Sequence, residues 1–186
     1  MYIVFFGAPG VGKGTQAQLV ASRNTIGHLS TGDEFRRNIR EGTGLGKQVQ
    51  NIVESGALVP DELTTAIVRD ALAQEKFANG CIFDGFPRTI QQAKDLDAIL
   101  AESGSAITCI VNIEVPESEI VSRLLLRGRA DDNEEVIRKR LAVYHDETAP
   151  VIDYYYATSK VVTVNGNSTM EEVYDSVMAA LGLNVA

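Results

Sequence analysis

Tryptophan is missing from this chain of 186 residues, and cysteine and histidine occur only twice each. Cys81 and Cys109 sit in apolar runs, Cys81-Ile82-Phe83 and 107–111, where small buried thiols are expected rather than a disulfide. His28 and His145 are far apart in sequence, so no zinc centre of the Cys/His type is expected. No apolar run approaches the roughly 20 residues that a membrane span needs, and no membrane partner is expected. Basic residues are the scarcer charge, 17 Lys and Arg against 25 Asp and Glu, for a net charge of −8. Nucleic-acid affinity comes largely from Lys and Arg neutralising phosphates, so a nucleic-acid partner is not expected, and any positive charge that matters must be local. The opening Met1-Tyr2-Ile3-Val4-Phe5-Phe6 lacks a basic leader and runs directly into Gly7-Ala8-Pro9-Gly10, which reads as a first strand rather than a signal peptide. A cytoplasmic protein is expected. No amphipathic seam asks for a partner, which makes a monomer the default.

What the chain does have is alternation. Apolar runs of strand length at 2–6, 81–83, 107–113 and 160–164, with a short one near His28-Leu29, alternate with segments of helical period. Helices are expected over 14–22, 61–74, 90–101, 116–126, 134–145, 149–157 and 170–181, with Asp61 capping the second and Thr169 or Ser168 the last. That rhythm specifies an α/β fold, a central parallel sheet with crossover helices on both faces in three α/β/α layers. Two stretches break it. Residues 30–59 carry glycines at 42, 44, 46 and 56 and no strong strand, and read as a small helical insertion; residues 126–133 form a short polar loop between helices. Residues 1–186 are expected to be one domain carrying these two excursions.

Gly7-Ala8-Pro9-Gly10-Val11-Gly12-Lys13-Gly14-Thr15 follows a strand and opens a helix, the context in which a glycine pattern becomes a phosphate-binding loop. Glycines let backbone N–H groups converge on an anion, the helix N-terminus adds partial positive charge, and Lys13 brings an ammonium. Gly10, Val11, Gly12, Lys13, Gly14 and Thr15 are therefore expected to hold the phosphates of ATP. The hydroxyl falls at Thr15, one place later than the Ser or Thr that ligates magnesium in many P-loop proteins. This suggests Mg²⁺ held by phosphates and water. Asp84, at the carboxyl end of Cys81-Ile82-Phe83, is expected to orient metal-bound water.

Five motifs in order resemble the adenylate kinases among the nucleoside monophosphate kinases. They are the glycine loop; Leu29-Ser30-Thr31-Gly32-Asp33 with Arg36; Gly56-Ala57-Leu58-Val59-Pro60-Asp61; Asp84-Gly85-Phe86-Pro87-Arg88-Thr89 with Gln92; and Gly128-Arg129-Ala130-Asp131-Asp132 with Arg138-Lys139-Arg140-Leu141. The resemblance spans almost the whole chain. It implies reversible phosphoryl transfer from MgATP to AMP, giving two ADP, by a cytoplasmic enzyme without zinc. It further implies an AMP site from Thr31, Arg36, Ala57, Leu58, Val59, Gly85, Phe86, Pro87, Arg88 and Gln92, with 30–59 as the acceptor-binding insertion. Arg36 and Arg88 suit a phosphate because guanidinium grips its oxygens in a fork, and Gln92 can present a donor and an acceptor to adenine. Arg123 and Arg127 are implied to face ATP, Arg129 and Arg140 to contact phosphates across the transfer site, and Ser168 to pass near the ATP base. Members of the family usually carry more residues between the counterparts of Arg127 and Arg129; this chain has only Gly128, which implies a very short lid.

An AMP phosphate oxygen is anionic at neutral pH, so no general base is expected. Lys13, Arg88, Arg123, Arg129 and Arg140 are the expected catalytic groups, acting by alignment and charge stabilisation. Two alternatives stand beside this one: a UMP/CMP kinase, which shares the phosphate chemistry, and a P-loop switch that hydrolyses a triphosphate. No Asn-Lys-x-Asp guanine-reading motif is present to favour the switch.

Overall fold

A computed structural model describes residues 1–129 and 132–183. Five strands, β1 (Tyr2–Phe6), β2 (Gly27–Ser30), β3 (Cys81–Asp84), β4 (Cys109–Glu114) and β5 (Val161–Asn165), form one sheet in the order β2-β3-β1-β4-β5. Every pairing is parallel. Parallel strands need crossover connections, and the helices that make them cover both faces. This is why the strands are continuous apolar runs rather than alternating ones.

Successive residues of β1 divide the core. Ile3 and Phe5 pack with Val20 of α1 (Lys13–Asn24), Leu124 of α6 (Glu117–Arg127), Ile137 of α7 (Glu134–Val143) and Val177 of α9 (Met170–Leu181). Val4 and Phe6 face the opposite side, with Val68 of α4 (Asp61–Leu72), Leu96 of α5 (Ile90–Glu102) and Tyr155 of α8 (Val151–Thr158). Both thiols are free and buried in these clusters, and burial pushes each of them up from the ordinary thiol value.

The 30–59 stretch consists largely of two helices, α2 (Thr31–Glu41) and α3 (Gly44–Glu54), around a small cluster of Phe35, Val49 and Val59. Polar side chains punctuate it: Ser30 caps α2, Gly42 ends it in the left-handed conformation, and Thr43 caps α3. At the C-terminus Thr169, not Ser168, caps α9, in a reciprocal capping box with Glu172.

Several element ends shift from the sequence reading by one or two residues, and two of the differences change the local structure. Asp61 is not a cap: Pro60 holds that place, Asp61 is the first helical residue, and its carboxylate reaches Thr89 and Gln92 instead. The helix expected over 134–145 ends at Val143 and passes into a π-helical turn, Tyr144–Thr148. Among the described residues no helix is long and apolar enough to cross a membrane.

Strand order reverses at β1, which lies between β3 and β4 although β2 follows it in sequence. In open parallel sheets such a switch point opens a crevice at the carboxyl ends of the strands. The glycine loop leaves β1 there, and Asp84 closes β3 beside it, in register with Phe5.

Candidate active site

The loop after β1 turns into α1 at Gly12, which holds φ 101°, and a Cβ added there would meet nothing within 4 Å. The first amides of α1 lack intrahelical partners, and glycine brings no side chain of its own to cap them. Lys13 Nζ donates to the carbonyls of Gly7 and Ala8, both at 2.8 Å. Burial lowers the Lys13 pKa to about 8; Arg88, Arg140 and Arg127 push the same way and Asp84 opposes them.

Burial would raise the Asp84 carboxyl, but His28, Lys13 and Arg88 outweigh it and hold the group below its ordinary value. Asp84 Oδ2 lies 3.1 Å from where a Cβ on Gly14 would stand. A serine or threonine directly after the lysine would therefore crowd the carboxylate. The displaced hydroxyl and the carboxylate at the end of β3 are two sides of one arrangement. Thr15 is exposed on α1. His28 Nε2 is 3.8 Å from Asp84 Oδ2, an ion-pair approach rather than a hydrogen bond.

Beside this loop lies a pocket whose lining includes Thr31, Arg36, Ala57, Leu58, Val59, Gly85, Arg88, Gln92 and Arg140. The 56–60 connection brings Ala57 to Val59 there from α3, and the 85–89 corner brings Gly85 and Arg88 from β3. Phe86 and Pro87 are not in the lining; both are buried behind that corner, and the bond between them is cis. Thr31 Oγ1 and Arg88 Nε both donate to Gly85 O, at 2.9 and 2.8 Å. Burial, with the charges of Arg140 and Arg36, lowers Arg88 to about 10, against the pull of Asp84. Arg36 donates to Asp33 at 2.6 Å. Gln92 is 2% exposed; its Oε1 accepts from Arg88 N–H at 2.7 Å and its Nε2 donates to Asp61 Oδ1 at 2.8 Å.

Phe35, Val53 and Thr64 also line this pocket, and sequence reasoning did not reach them. Phe35 and Val53 carry the ordinary apolar signal of an insertion core, so nothing in residue type sets them apart.

One carboxylate, Asp132, ties together Arg127, Arg129 and Arg140. Arg127 meets Asp132 through Nε at 2.8 Å and Nη2 at 2.6 Å; Arg129 N–H donates to Asp132 at 3.0 Å, and Arg140 Nη1 reaches it at 3.5 Å. The Asp132 side chain is 0% exposed. Burial would raise its carboxyl, but Arg127, the Arg129 amide and Arg140 more than reverse this. In the sequence Asp132 is marked only as the last residue of Gly128-Arg129-Ala130-Asp131-Asp132. Ala130 and Asp131, within the expected 126–133 lid, lie outside the described residues. Arg123 bridges to the β5–α9 loop, donating to Gly166 O and Asn167 Oδ1, each at 3.1 Å. Ser168 is exposed on that loop. Arg129 lies near enough to the insertion for its charge to lower the Asp33 carboxyl along with Arg36, against the effect of burial.

Arg36, Arg88 and Arg140 line the pocket, and Lys13 on the loop feels the charges of Arg88, Arg140 and Arg127, with Asp84 coupled to both Lys13 and Arg88. Burial and neighbouring guanidinium groups work against the charged forms of Lys13 and Arg88 in the free protein, and an anion offsets the repulsion.

The family model described as adenylate kinase matches residues 5–160. A protein of Phocaeicola vulgatus named adenylate kinase is 46% identical over 183 residues, covering 96% of this chain and 97% of that protein. One of Corynebacterium urealyticum with the same name is 46% identical over 181 residues, 97% of this chain and 99% of the relative. A Nostoc protein named adenylate kinase 1 is 46% identical over 180 residues, covering 97% and 98%.

Proposed function

The chain belongs to the adenylate kinase family, and from that premise we propose that it transfers the terminal phosphoryl group of ATP to AMP, reversibly, at the β1 switch point. The observation that carries the reading is the convergence of Lys13, Arg88 and Arg140 in a chain of net charge −8, with each of Lys13 and Arg88 strained by burial and by its cationic neighbours. Buried positive charge of this density is stable when it faces phosphate.

ATP lies with its phosphates along residues 10–15, over the amino terminus of α1, and with its base towards Arg123 and the loop carrying Ser168. AMP occupies the pocket between the 30–59 insertion and the 85–92 corner, its phosphate gripped by Arg36 and Arg88 and its base read by Gln92. An oxygen of the AMP phosphate attacks the γ-phosphorus, the bond from that phosphorus to the β,γ-bridging oxygen breaks, and two ADP result. The nucleophile is already an anion, so no proton is moved. Lys13, Arg88, Arg129 and Arg140 hold the two nucleotides in line and stabilise charge on the transferring group, with Arg123 and Arg127 on the ATP side.

The donor set around the loop fits magnesium bound mainly by phosphate and water. Asp84 is kept ionised beside Lys13, and it stands where it can accept hydrogen bonds from metal-bound water. When present, the ion neutralises phosphate charge during transfer. Asp33 and Arg129, on the insertion and the lid, bring the two excursions together over the site, an arrangement suited to excluding water. Both phosphate spaces are built from one chain, which supports a monomer as the working unit.

A coupled assay with MgATP and each of AMP, CMP, UMP and GMP tests the reading. AMP should give the highest kcat/KM. Preference for CMP or UMP would reassign the acceptor, and phosphate release without any monophosphate requirement would replace transfer by hydrolysis.

A further inference from the structure

The acceptor pocket contains a hydrogen-bond lock that no motif describes. Gln92 lines the pocket from the first turn of α5 and is almost wholly buried. A glutamine amide can usually rotate by a half-turn and exchange its oxygen and nitrogen, because the two ends have the same size. Here chemistry removes that freedom. The Arg88 backbone N–H, 2.7 Å away, can only donate, so it must meet Oε1. The Asp61 carboxylate, 2.8 Å away on the other side, can only accept, so it must meet Nε2. A reversed amide would set N–H against N–H and oxygen against oxygen, both buried.

Asp61 is itself held. Its second oxygen accepts from Thr89 Oγ1 at 2.8 Å, and the same Oγ1 accepts from Gln92 N–H at 3.1 Å as the cap of α5. The three residues close a ring that joins the start of α4 to the start of α5. Only Pro60 separates Asp61 from the 57–59 segment that lines the pocket. With one valence at each end of the amide committed, one N–H and one oxygen lone pair remain for a ligand.

We propose that Asp61 is a positioning residue that fixes the orientation of the Gln92 amide and thereby makes the acceptor site select a 6-aminopurine over a 6-oxopurine. The two bases present opposite patterns on the relevant edge: N1 accepts and the 6-amino group donates in one, N1–H donates and O6 accepts in the other. A fixed amide meeting a base in a fixed pose satisfies one of them, and the reversed amide satisfies the other. The inference rests on AMP being the acceptor, which makes the locked orientation the one that serves adenine.

The test uses the full chain as wild type, Asp61→Asn, Asp61→Ala, Gln92→Ala and the double variant Asp61→Ala/Gln92→Ala. Steady-state kinetics are measured with AMP and with IMP at saturating MgATP, alongside melting temperatures. Asp61→Asn keeps the shape and can hydrogen-bond either end of the Gln92 amide. It should retain near-wild-type stability and lower the AMP-to-IMP ratio of kcat/KM by about tenfold, through KM. That is far short of the 10⁴ or more that a whole hydrogen-bonding site commands, because Arg88 N–H still constrains the oxygen. Asp61→Ala should do at least as much, and should add nothing to the ratio in a Gln92→Ala background. KM for ATP should stay unchanged throughout.

An unaltered AMP-to-IMP ratio in Asp61→Asn, or independent effects of Asp61 and Gln92 in the double variant, overturns the proposal while wild-type turnover of AMP leaves the adenylate kinase reading intact. A wild type that does not phosphorylate AMP overturns both.

Discussion

Lys13 and Arg88 meet the same difficulty in the free protein, and on the proposed reading bound phosphate resolves it for both. Burial together with neighbouring guanidinium groups lowers Lys13 to about 8 and Arg88 to about 10, and Asp84 alone counters both. Removing one cation relieves repulsion among the rest, so the loss should fall on catalysis and not on folding. Lys13→Ala and Arg88→Ala are each expected to lower kcat by ~10³-fold or more, by analogy with phosphate-clamping arginines, with melting temperatures close to wild type; a folded variant with near-normal turnover would refute the role. The lowered Lys13 value also sets a pH limb. The ammonium that receives ATP is present below pH about 8 in the free enzyme and is lost as pH rises through that value. Bound phosphates favour the charged form and raise the value in the complex. Thus kcat/KM for ATP should fall above pH about 8 while kcat holds to higher pH, since the first reports the free enzyme and the second the complex. Matched profiles over pH 6–10 check this, and coincident limbs would exclude Lys13 as their source.

At the scale of elements, the decisive junction is Asp132 between α6 and α7. It receives two hydrogen bonds from Arg127, one from the Arg129 amide and a longer one from Arg140, and its own side chain is 0% exposed. Stripping it away removes the carboxylate that pairs with Arg127. Breaking a buried pair costs about 3–5 kcal/mol. The low end applies here because the Arg127 side chain keeps 30% exposure. Asp132→Ala should therefore lose about 3 kcal/mol, which lowers Tm by roughly 6–12 °C in a chain of this size, and kcat should fall with it as Arg127 loses its two hydrogen bonds. The sign with pH follows from the depressed carboxyl: the wild type's advantage is full above the ordinary value of 3.8 and disappears as pH falls below it through the folded value. Equal stability of the two proteins at pH 7 would remove Asp132 from this role. The sequence could not show the junction, because an aspartate beside arginines reads equally as a solvated loop charge, and burial is decided by how two helices meet. The same limit applies to Asp61. Its place before a helical period resembles a cap, and only the approach of α5 turns its carboxylate towards Gln92. The strands, in contrast, were legible within a residue or two, since burial on both faces forces unbroken apolar runs. The helices of the insertion were legible only as helical character. Their apolar residues are few, and their ends are set by Ser30, Gly42 and Thr43, polar and glycine signals that also occur in loops.

Across the whole molecule, the order β2-β3-β1-β4-β5 puts the glycine loop, Asp84 and the 85–92 corner at one end of the sheet, and two excursions of unequal size flank that end. The insertion supplies a substantial wall with its own apolar cluster of Phe35, Val49 and Val59. The lid supplies one residue, Gly128, between Arg127 and Arg129. Water competes with AMP for the γ-phosphoryl group, and a closing lid is what keeps it out in adenylate kinase, the handover this fold is known to gate. A lid this short can bring arginine charge to the phosphates through the Asp132 anchor, but it offers little surface to cover them. Charge stabilisation and water exclusion, which a longer lid supplies together, are thereby separated. With ATP bound and AMP absent, the activating cations remain while the barrier to water is reduced. Slow ATP hydrolysis without AMP should accordingly exceed that of an adenylate kinase with a longer lid, when phosphate release is measured for both at saturating MgATP and matched temperature. Adding AMP should suppress the hydrolysis in favour of ADP formation, because the acceptor fills the space from which water attacks. Background hydrolysis equal to or below that of the longer-lidded enzyme would mean that the insertion and the Arg129 segment seal the site by themselves.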